Sequence, residues 1–302
     1  MTLKNEKHLR DIRRELIKNF SLDELQVLAS ELEIEWFALP GEQKAMKSYA
    51  LVMILTENGR LADLLLLLNE EKPHINWHTI FADTVCDETV QNYIDHVSDL
   101  LNKRVLQTDK VALEKVKKQT TAILKMVDGE RKGSIFRFLR DSGLIETDNI
   151  LDPETSDLNE VDLRNTSLLG LNMAGAQLFG ANLSKTKLVQ VDFQGADLRC
   201  ANLGGANLCG ANLRQVDLQN AHLWGANLYK ADLSGANLSG AHLSGANLWK
   251  ANLWQADLYQ AYLWGADLRD VNLSEAKNVT EKQLSLAKSF KGAILPSGFG
   301  QI

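Results

Sequence analysis

The segment "ADLSGANLSGAHLSGANLWKANLWQADL", residues 231–258, places Leu at every fifth position. An α-helix repeats near 3.6 residues and a flat strand near 2, so neither explains a period of five. The beat runs without a slip from residue 158 to residue 273, twenty-four positions that are all Leu except Met173 and Phe193. Two residues before each stands a second column, Ala at sixteen of the twenty-four and otherwise mostly apolar, as at Val161, Leu171, Val191, Val216 and Val271. Between the columns lies Asp or Asn in most repeats, as in Asp197, Asn202, Asn207, Asn212 and Asp217. Residues two apart share one face of an extended segment while the residue between them points the other way. Five residues therefore read as one extended side followed by one corner.

A chain of short sides joined by corners coils on itself, and coils stack when their backbone groups pair with the coil above and below. The pattern resembles the pentapeptide-repeat family, whose consensus is Ala, Asp or Asn, Leu and two variable residues, and the resemblance covers residues 156–276. It implies that four repeats make one square turn of a right-handed β-helix, with Leu and the small residue inward. Twenty-four repeats then give about six coils, and at a strand spacing of about 4.8 Å the rod is roughly 29 Å long. The expected fold class is α+β: an N-terminal all-α bundle and a helical linker module, followed by a right-handed quadrilateral β-helix.

Length leaves room for one or two further domains before such a rod, because the chain has 302 residues. Its net charge of −6 is too mild to announce a nucleic-acid surface or an acidic tail. Cys86, Cys200 and Cys209 show no C-x-x-C spacing, so neither a metal cluster nor a disulfide framework is implied, and a reducing cytoplasm fits. No charged-then-apolar leader opens the sequence, and the densest apolar run, "LADLLLLL" at 61–68, is far shorter than a membrane span.

Residues 1–80 read as a helical bundle. "LRDIRRELIKNF" sets Leu9, Ile12, Leu16 and Ile17 at the spacing of one helix face. Ser21 and Glu24 have capping-box spacing before an apolar run. Pro40-Gly41 marks a turn, a helix follows through Leu51, Ile54 and Leu55 to a stop near Gly59, and Arg60 to Asn69 supplies a fourth helix ended before Pro73. Four short helices with brief connections argue for a compact antiparallel bundle. The order "LRDIRRELIKNFSLDELQVLASELEI", "LPGEQKAMKSYALVMILTENGRLADLL" and then "INW" resembles a bacterial effector-associated, or death-like, domain. Its Leu-Pro-Gly turn followed by basic residues is matched by Leu39, Pro40, Gly41, Lys44 and Lys47, while Trp36-Phe37 stands where relatives carry an acidic or tyrosine pair. The resemblance implies a domain without catalytic residues that pairs with like domains in bacterial conflict or signalling systems.

Residues 81–150 read as a helical module that caps the rod, with helical spacing through Val97, Leu100 and Leu101, then Val116, Ile123, Leu124 and Val127. Gly129 and Gly133 bracket a turn in this reading, and a last helix runs to Gly143. The stretch resembles a helical module found directly before pentapeptide repeats, whose expected role is to cover the first coil, since an open β edge invites unwanted pairing. The rod is assigned to 151–276, and 277–302 reads as a C-terminal helical cap and tail with its helix capped at Thr280.

Catalytic and metal chemistry find little support. His222 and His242 stand twenty residues apart, stacked on adjacent coils, but the neighbouring rungs are Asn202 and Tyr262, and a metal site needs three or more converging ligands. Gly-rich phosphate loops, H-E-x-x-H and nucleophile elbows do not occur. The expectation is a non-enzyme without cofactor or metal. The residue after each central Leu is more informative: at intervals of twenty, Leu169, Val189, Cys209, Tyr229 and Trp249 form an outward apolar stripe that ends at Arg269. His222, Trp224, His242, Tyr262 and Trp264 cluster on the neighbouring face, with Trp254 and Tyr259 on the remaining two. Wet aromatics in a patch forfeit about 25 cal/mol per Å² of burial and usually mark a contact surface. Two coverings stand open: the chain's own helical module, or a partner that includes a second copy.

The candidate protein-binding residues are thus Leu169, Val189, Tyr229, Trp249, Trp224, Tyr262, Trp264, Trp254 and Tyr259 on the rod, and Trp36, Phe37, Lys44 and Lys47 on the bundle. The expected partners are proteins with similar death-like domains, with self-association a second option and nucleic acid excluded. The leading functional reading is a cytoplasmic adaptor or effector component of an antiphage-type system. The alternative is a DNA mimic that binds a type II topoisomerase, which needs ordered negative charge. Residues 156–276 hold eleven acidic against eight basic residues, a weak balance for a mimic.

Overall fold

In a computed structural model that describes residues 3–40, 42–57, 60–72, 74–75, 83–145 and 150–299, the chain divides into two units, Met1–Val127 and Asp128–Ile302. Gly41, Gly59 and Pro73, used above as turn and end signals, and Trp77 of the "INW" stretch lie outside the described residues.

The first unit is built from helices: α1 Leu3–Asn19, α2 Leu22–Glu31, α3 Lys44–Glu57, α4 Leu61–Glu71, α5 Asp83–Asn102, α6 Val105–Thr108 and α7 Lys110–Met126, with a 3₁₀ turn at Trp36–Ala38. α2 starts as its sequence dictates. The Ser21 hydroxyl accepts from the Glu24 amide at 3.1 Å and the Glu24 carboxylate accepts from the Ser21 amide at 2.6 Å, which satisfies two otherwise orphan donors. Leu9, Ile12 and Leu16 of α1 are buried with Leu25 and Leu28 of α2, Leu51 and Leu55 of α3, and Leu64, Leu65 and Leu68 of α4. Each such side chain contributes about 1.5–3 kcal/mol through burial. Ile17 departs from the expected face and is exposed. One residue beyond Leu16 is about 100° around the helix, which carries it off the core stripe.

The second unit opens with α8, Gly129–Asp141, whose N-cap Asp128 accepts from the Arg131 amide at 3.0 Å. Gly129 and Gly133 do not bracket a turn; both lie inside this helix. They are glycines because the helix rests on the first coil, where a Cβ at either position would collide with the carbonyl oxygen of Glu160 or Asp162. Lys132 donates to the Asn159 carbonyl at 2.9 Å, Arg137 to that of Asp162 at 3.0 Å and Arg140 to that of Ser167 at 3.0 Å. Lys132 also pairs with Asp157 at 2.9 Å. Three cationic side chains of one helix thus fill carbonyls that the coil edge leaves over, each bond to a charged donor contributing about 1.5–3 kcal/mol.

From Asp157 onward the chain stacks on itself at a period of twenty. Parallel bridges link Asp157 to Gln177, Asp162 to Asn182, and so on to Asp257 with Lys277. Among the described residues these are single-residue bridges rather than longer strands, because two of every five residues are taken by a corner. The central column, including Leu158, Met173, Phe193 and Leu273, is buried, and so is the small column from Ala176 to Ala266. After residue 277 the register lengthens by two: Asp267 bridges Ser289 and Asn272 bridges Ile294. The extra residues are taken up by α9, Glu281–Leu286, with Thr280 and Gln283 in a capping box. Gln283 also donates to the carbonyls of Leu258 at 2.8 Å and Ala261 at 3.1 Å, so the same residue starts the helix and ties it to the coil.

Candidate interaction surface

The corners decide what the rod shows to its surroundings. In each, the carbonyl of the central residue accepts from the amide three residues on, as Leu158 does from Val161 at 3.2 Å. The fifth residue of every repeat has positive φ, from 54° at Asp270 to 70° at Gly235. That conformation suits Gly and strains other residues by roughly 1–2 kcal/mol, which explains why Gly recurs there. The fourth residue projects outward, and its amide would face water unpaired. The Asp or Asn two residues before it supplies the acceptor: Asp217 to Gln219 at 3.0 Å, Asn237 to Ser239 at 3.1 Å, Asp257 to Tyr259 at 2.9 Å. The same side chains also bond along the rod, as Asn227 Nδ2 does to Asn207 Oδ1 and Asn247 Nδ2 to Asn227 Oδ1, each at 3.0 Å.

Against this rule, one column departs three times in succession. His222, His242 and Tyr262 replace Asp or Asn, and their rings are in contact, tilted with centroids 5.0 Å apart for the first pair and stacked at 4.5 Å for the second. Trp224 and Trp264 flank them and are exposed, Trp264 by 69% of its surface. The Trp224 indole lies over Gly204, where a Cβ would collide with it. A run of residues that gives up the local hydrogen-bonding rule for exposed or half-buried rings is where contact function is expected.

On the next face Tyr229 and Trp249 are half-buried, with ring centroids 5.1 Å apart. Arg269 and Lys250 each lie 5.1 Å from the Trp249 centroid, and the indole nitrogen donates to Asp270 at 3.0 Å. Leu169 is exposed and Val189 half-buried in the same column. Trp249, Trp254, Tyr259 and Trp264 occupy the outward position of four successive corners, so together they girdle the rod at one level.

In the first unit, Phe37 is 88% exposed and Lys44 half-buried. Lys47 turns inward: 7% exposed, it donates to the carbonyls of Trp36 at 2.8 Å and Leu39 at 2.7 Å and lies 5.0 Å from the Trp36 ring centroid. A groove between α1 and α3, unmarked by the sequence reading, is lined by Arg10, Arg13, Arg14, Ile17, Met46 and Tyr49. Arg13 stacks on Tyr49 at 4.6 Å. Its signal was present in α3, where Met46 and Tyr49 form an apolar face apart from the buried Leu51 and Leu55.

A family model for pentapeptide repeats (8 copies) matches residues 156–195, 196–235 and 236–274, and one for effector-associated domain 7 matches residues 12–73. The chain carries pentapeptide repeats behind an effector-associated domain. Similar solved structures include HetL, involved in heterocyst differentiation regulation in the cyanobacterium Nostoc sp. strain PCC 7120, at 29% identity over 47% of this chain and 90% of that one, with a TM-score of 0.23. Rfr23 from the cyanobacterium Cyanothece 51142 is 31% identical over 39% of this chain and 85% of that one, with a TM-score of 0.23. QnrB1, a plasmid-mediated fluoroquinolone resistance protein, is 16% identical over 46% of this chain and 86% of that one, with a TM-score of 0.29. No curated protein matches the chain, and no catalytic family is among the matching models.

Within the pentapeptide repeats four arginines pair with five aspartates: Arg164 with Asp162, Arg199 with Asp197 and Asp217, Arg214 with Asp232 and Arg269 with Asp267. The Arg199 guanidinium holds the Asp197 carboxyl below its usual range, and Arg269 does the same to Asp267. In the effector-associated domain, Glu24 sits 2.8 Å from Lys72, whose ammonium together with the Ser21 amide lowers its pKa to about 2. Among the described residues no cluster of His, Cys, Asp or Glu is placed to hold a metal, and no helix is long and apolar enough to cross a membrane.

Proposed function

We propose that this protein is a non-enzymatic adaptor or effector component of a bacterial conflict or signalling system of the antiphage type, acting in the cytoplasm. In this reading the N-terminal domain has a death-like fold and recruits a like domain, while the repeats form a right-handed quadrilateral β-helix that serves as a rigid contact surface. The observation that carries it is the joining, in one chain, of an effector-associated domain to repeats in which one column sets three successive rings, His222, His242 and Tyr262, where Asp or Asn is the rule. Large rigid rings such as Trp224, Trp249, Trp254 and Trp264 are the side chains that dominate protein contacts once desolvated.

The alternative, DNA mimicry toward a topoisomerase, requires an unneutralised file of carboxylates along the rod. Asp162, Asp197 and Asp267 instead pair with Arg164, Arg199 and Arg269 and accept the following corner amides. That pairing favours the adaptor reading. Titrating the full chain against proteins encoded nearby that carry similar effector-associated domains tests it. Saturable binding that survives removal of the partner's other domains supports recruitment; no binding to any of them, together with inhibition of gyrase supercoiling, overturns it.

A further inference from the structure

Charge in the N-terminal unit is unevenly distributed along the sequence. Residues 3–19 carry six basic and three acidic side chains, whereas residues 20–43 carry six acidic side chains and no Lys or Arg. Arg10, Arg13 and Arg14 line the α1–α3 groove together with the apolar Ile17, Met46 and Tyr49, and Arg14 also pairs with Asp11 at 3.3 Å. The acidic part ends at Phe37, which is 88% exposed and preceded by the exposed Glu31, Glu33 and Glu35. An exposed ring among carboxylates and an apolar groove among guanidiniums complement one another in apolar character and in sign.

We propose that the groove receives Phe37 of a second copy of this chain, with the partner's Glu33 and Glu35 set against the rim formed by Arg10 and Arg14. The inference rests on the recruitment reading above and deepens it, because it names the two surfaces and makes the chain its own first partner. Burying the ring removes apolar area from water, which supplies affinity. The opposed charges set the orientation and speed association, so the contact weakens with salt.

Sedimentation velocity of the full chain at about 100 μM, a concentration that populates even a ~10 μM complex, provides the test. Wild-type protein is expected to associate, and raising salt from about 50 to 500 mM, which shortens the Debye length, is expected to weaken the complex. Phe37→Asp is expected to weaken it by at least ~10-fold, the range of an aromatic hot spot, without altering the melting curve, since the ring touches little in its own chain. Glu35→Arg and Arg14→Glu chains are each expected to stay monomeric alone and to associate when mixed, a rescue that only folded chains can give. A monomeric wild type, association untouched by Phe37→Asp, or failure of the mixed variants to associate would each overturn the docking. A wild type that is monomeric yet binds another protein's effector-associated domain overturns self-docking and leaves the recruitment reading standing.

Discussion

The Asp162 amide donates to the Gly129 carbonyl at 2.8 Å, so the first coil's edge is closed by the backbone of α8 rather than left open. That bond exists because Gly129 and Gly133 bring the helix against the coil. Gly129→Ala or Gly133→Ala places a methyl against a fixed carbonyl oxygen, and overpacking of this kind costs about 1–3 kcal/mol. The expected outcome is a lower melting temperature for the repeats and faster hydrogen exchange at the Asp162 amide. Unchanged exchange would mean that the helix does not close the edge.

Lys47 is expected to act on stability. Its ammonium serves two carbonyls at the Trp36–Ala38 turn, and removing it leaves Leu39 and Trp36 oxygens without that donor. Lys47→Met should destabilise the N-terminal unit by about 1.5–3 kcal/mol, the range for a hydrogen bond to a charged group. Urea unfolding followed at the helical ellipticity measures it. A change within error would return Lys47 to the list of surface residues.

Acid should weaken the same unit through Glu24. Its pKa falls from 4.5 to about 2 on folding, chiefly through the Lys72 bond, so the ionised form is favoured in the native state. The stabilisation is complete above pH 4.5 and is lost as pH falls toward 2. Wild type should therefore lose stability across that window relative to Lys72→Met. Parallel pH profiles for the two proteins would contradict the assignment.

Legibility in the sequence followed the range of the interaction. The five-residue period fixes corner, inward column and outward column locally, so Leu238, Ala236 and Ser239 could be assigned from their places in the repeat. Ser21 with Glu24 and Thr280 with Gln283 are also local signals, and both form capping boxes. What escaped was long-range or dual-purpose. Gly129 reads as a turn former until Glu160 is known to lie against it. Lys47 reads as a surface cation until two carbonyls eight and eleven residues away turn toward it. Asp and Asn of the repeat read as plain outward polar residues, although their side chains complete each corner. The two-residue lengthening at Asp267 and Ser289 has no periodic signature, because α9 absorbs it.

Removing the rod's central aromatic pair should alter what the rod binds. Tyr229→Asp with Trp249→Asp removes two contacting rings from one column without touching the buried Leu228 or Leu248. The melting temperature should change little, whereas the mass of complexes formed through the rod, read by light scattering, should fall. An unchanged mass alongside an unchanged melt would eliminate this column as a contact surface.

Every surface column depends on residues twenty apart lying one above the other. With Cys86, Cys200 and Cys209 replaced, a Gln219→Cys, Ser239→Cys chain brings two thiols onto neighbouring coils, and stacked backbones about 4.8 Å apart fall within disulfide reach. Mild oxidation should close that bond quantitatively in the folded protein, while Ser239→Cys with Ser244→Cys, on successive corners, should stay reduced. Closure of the corner pair, or failure of the stacked pair, would contradict the twenty-residue register and with it the aromatic surface.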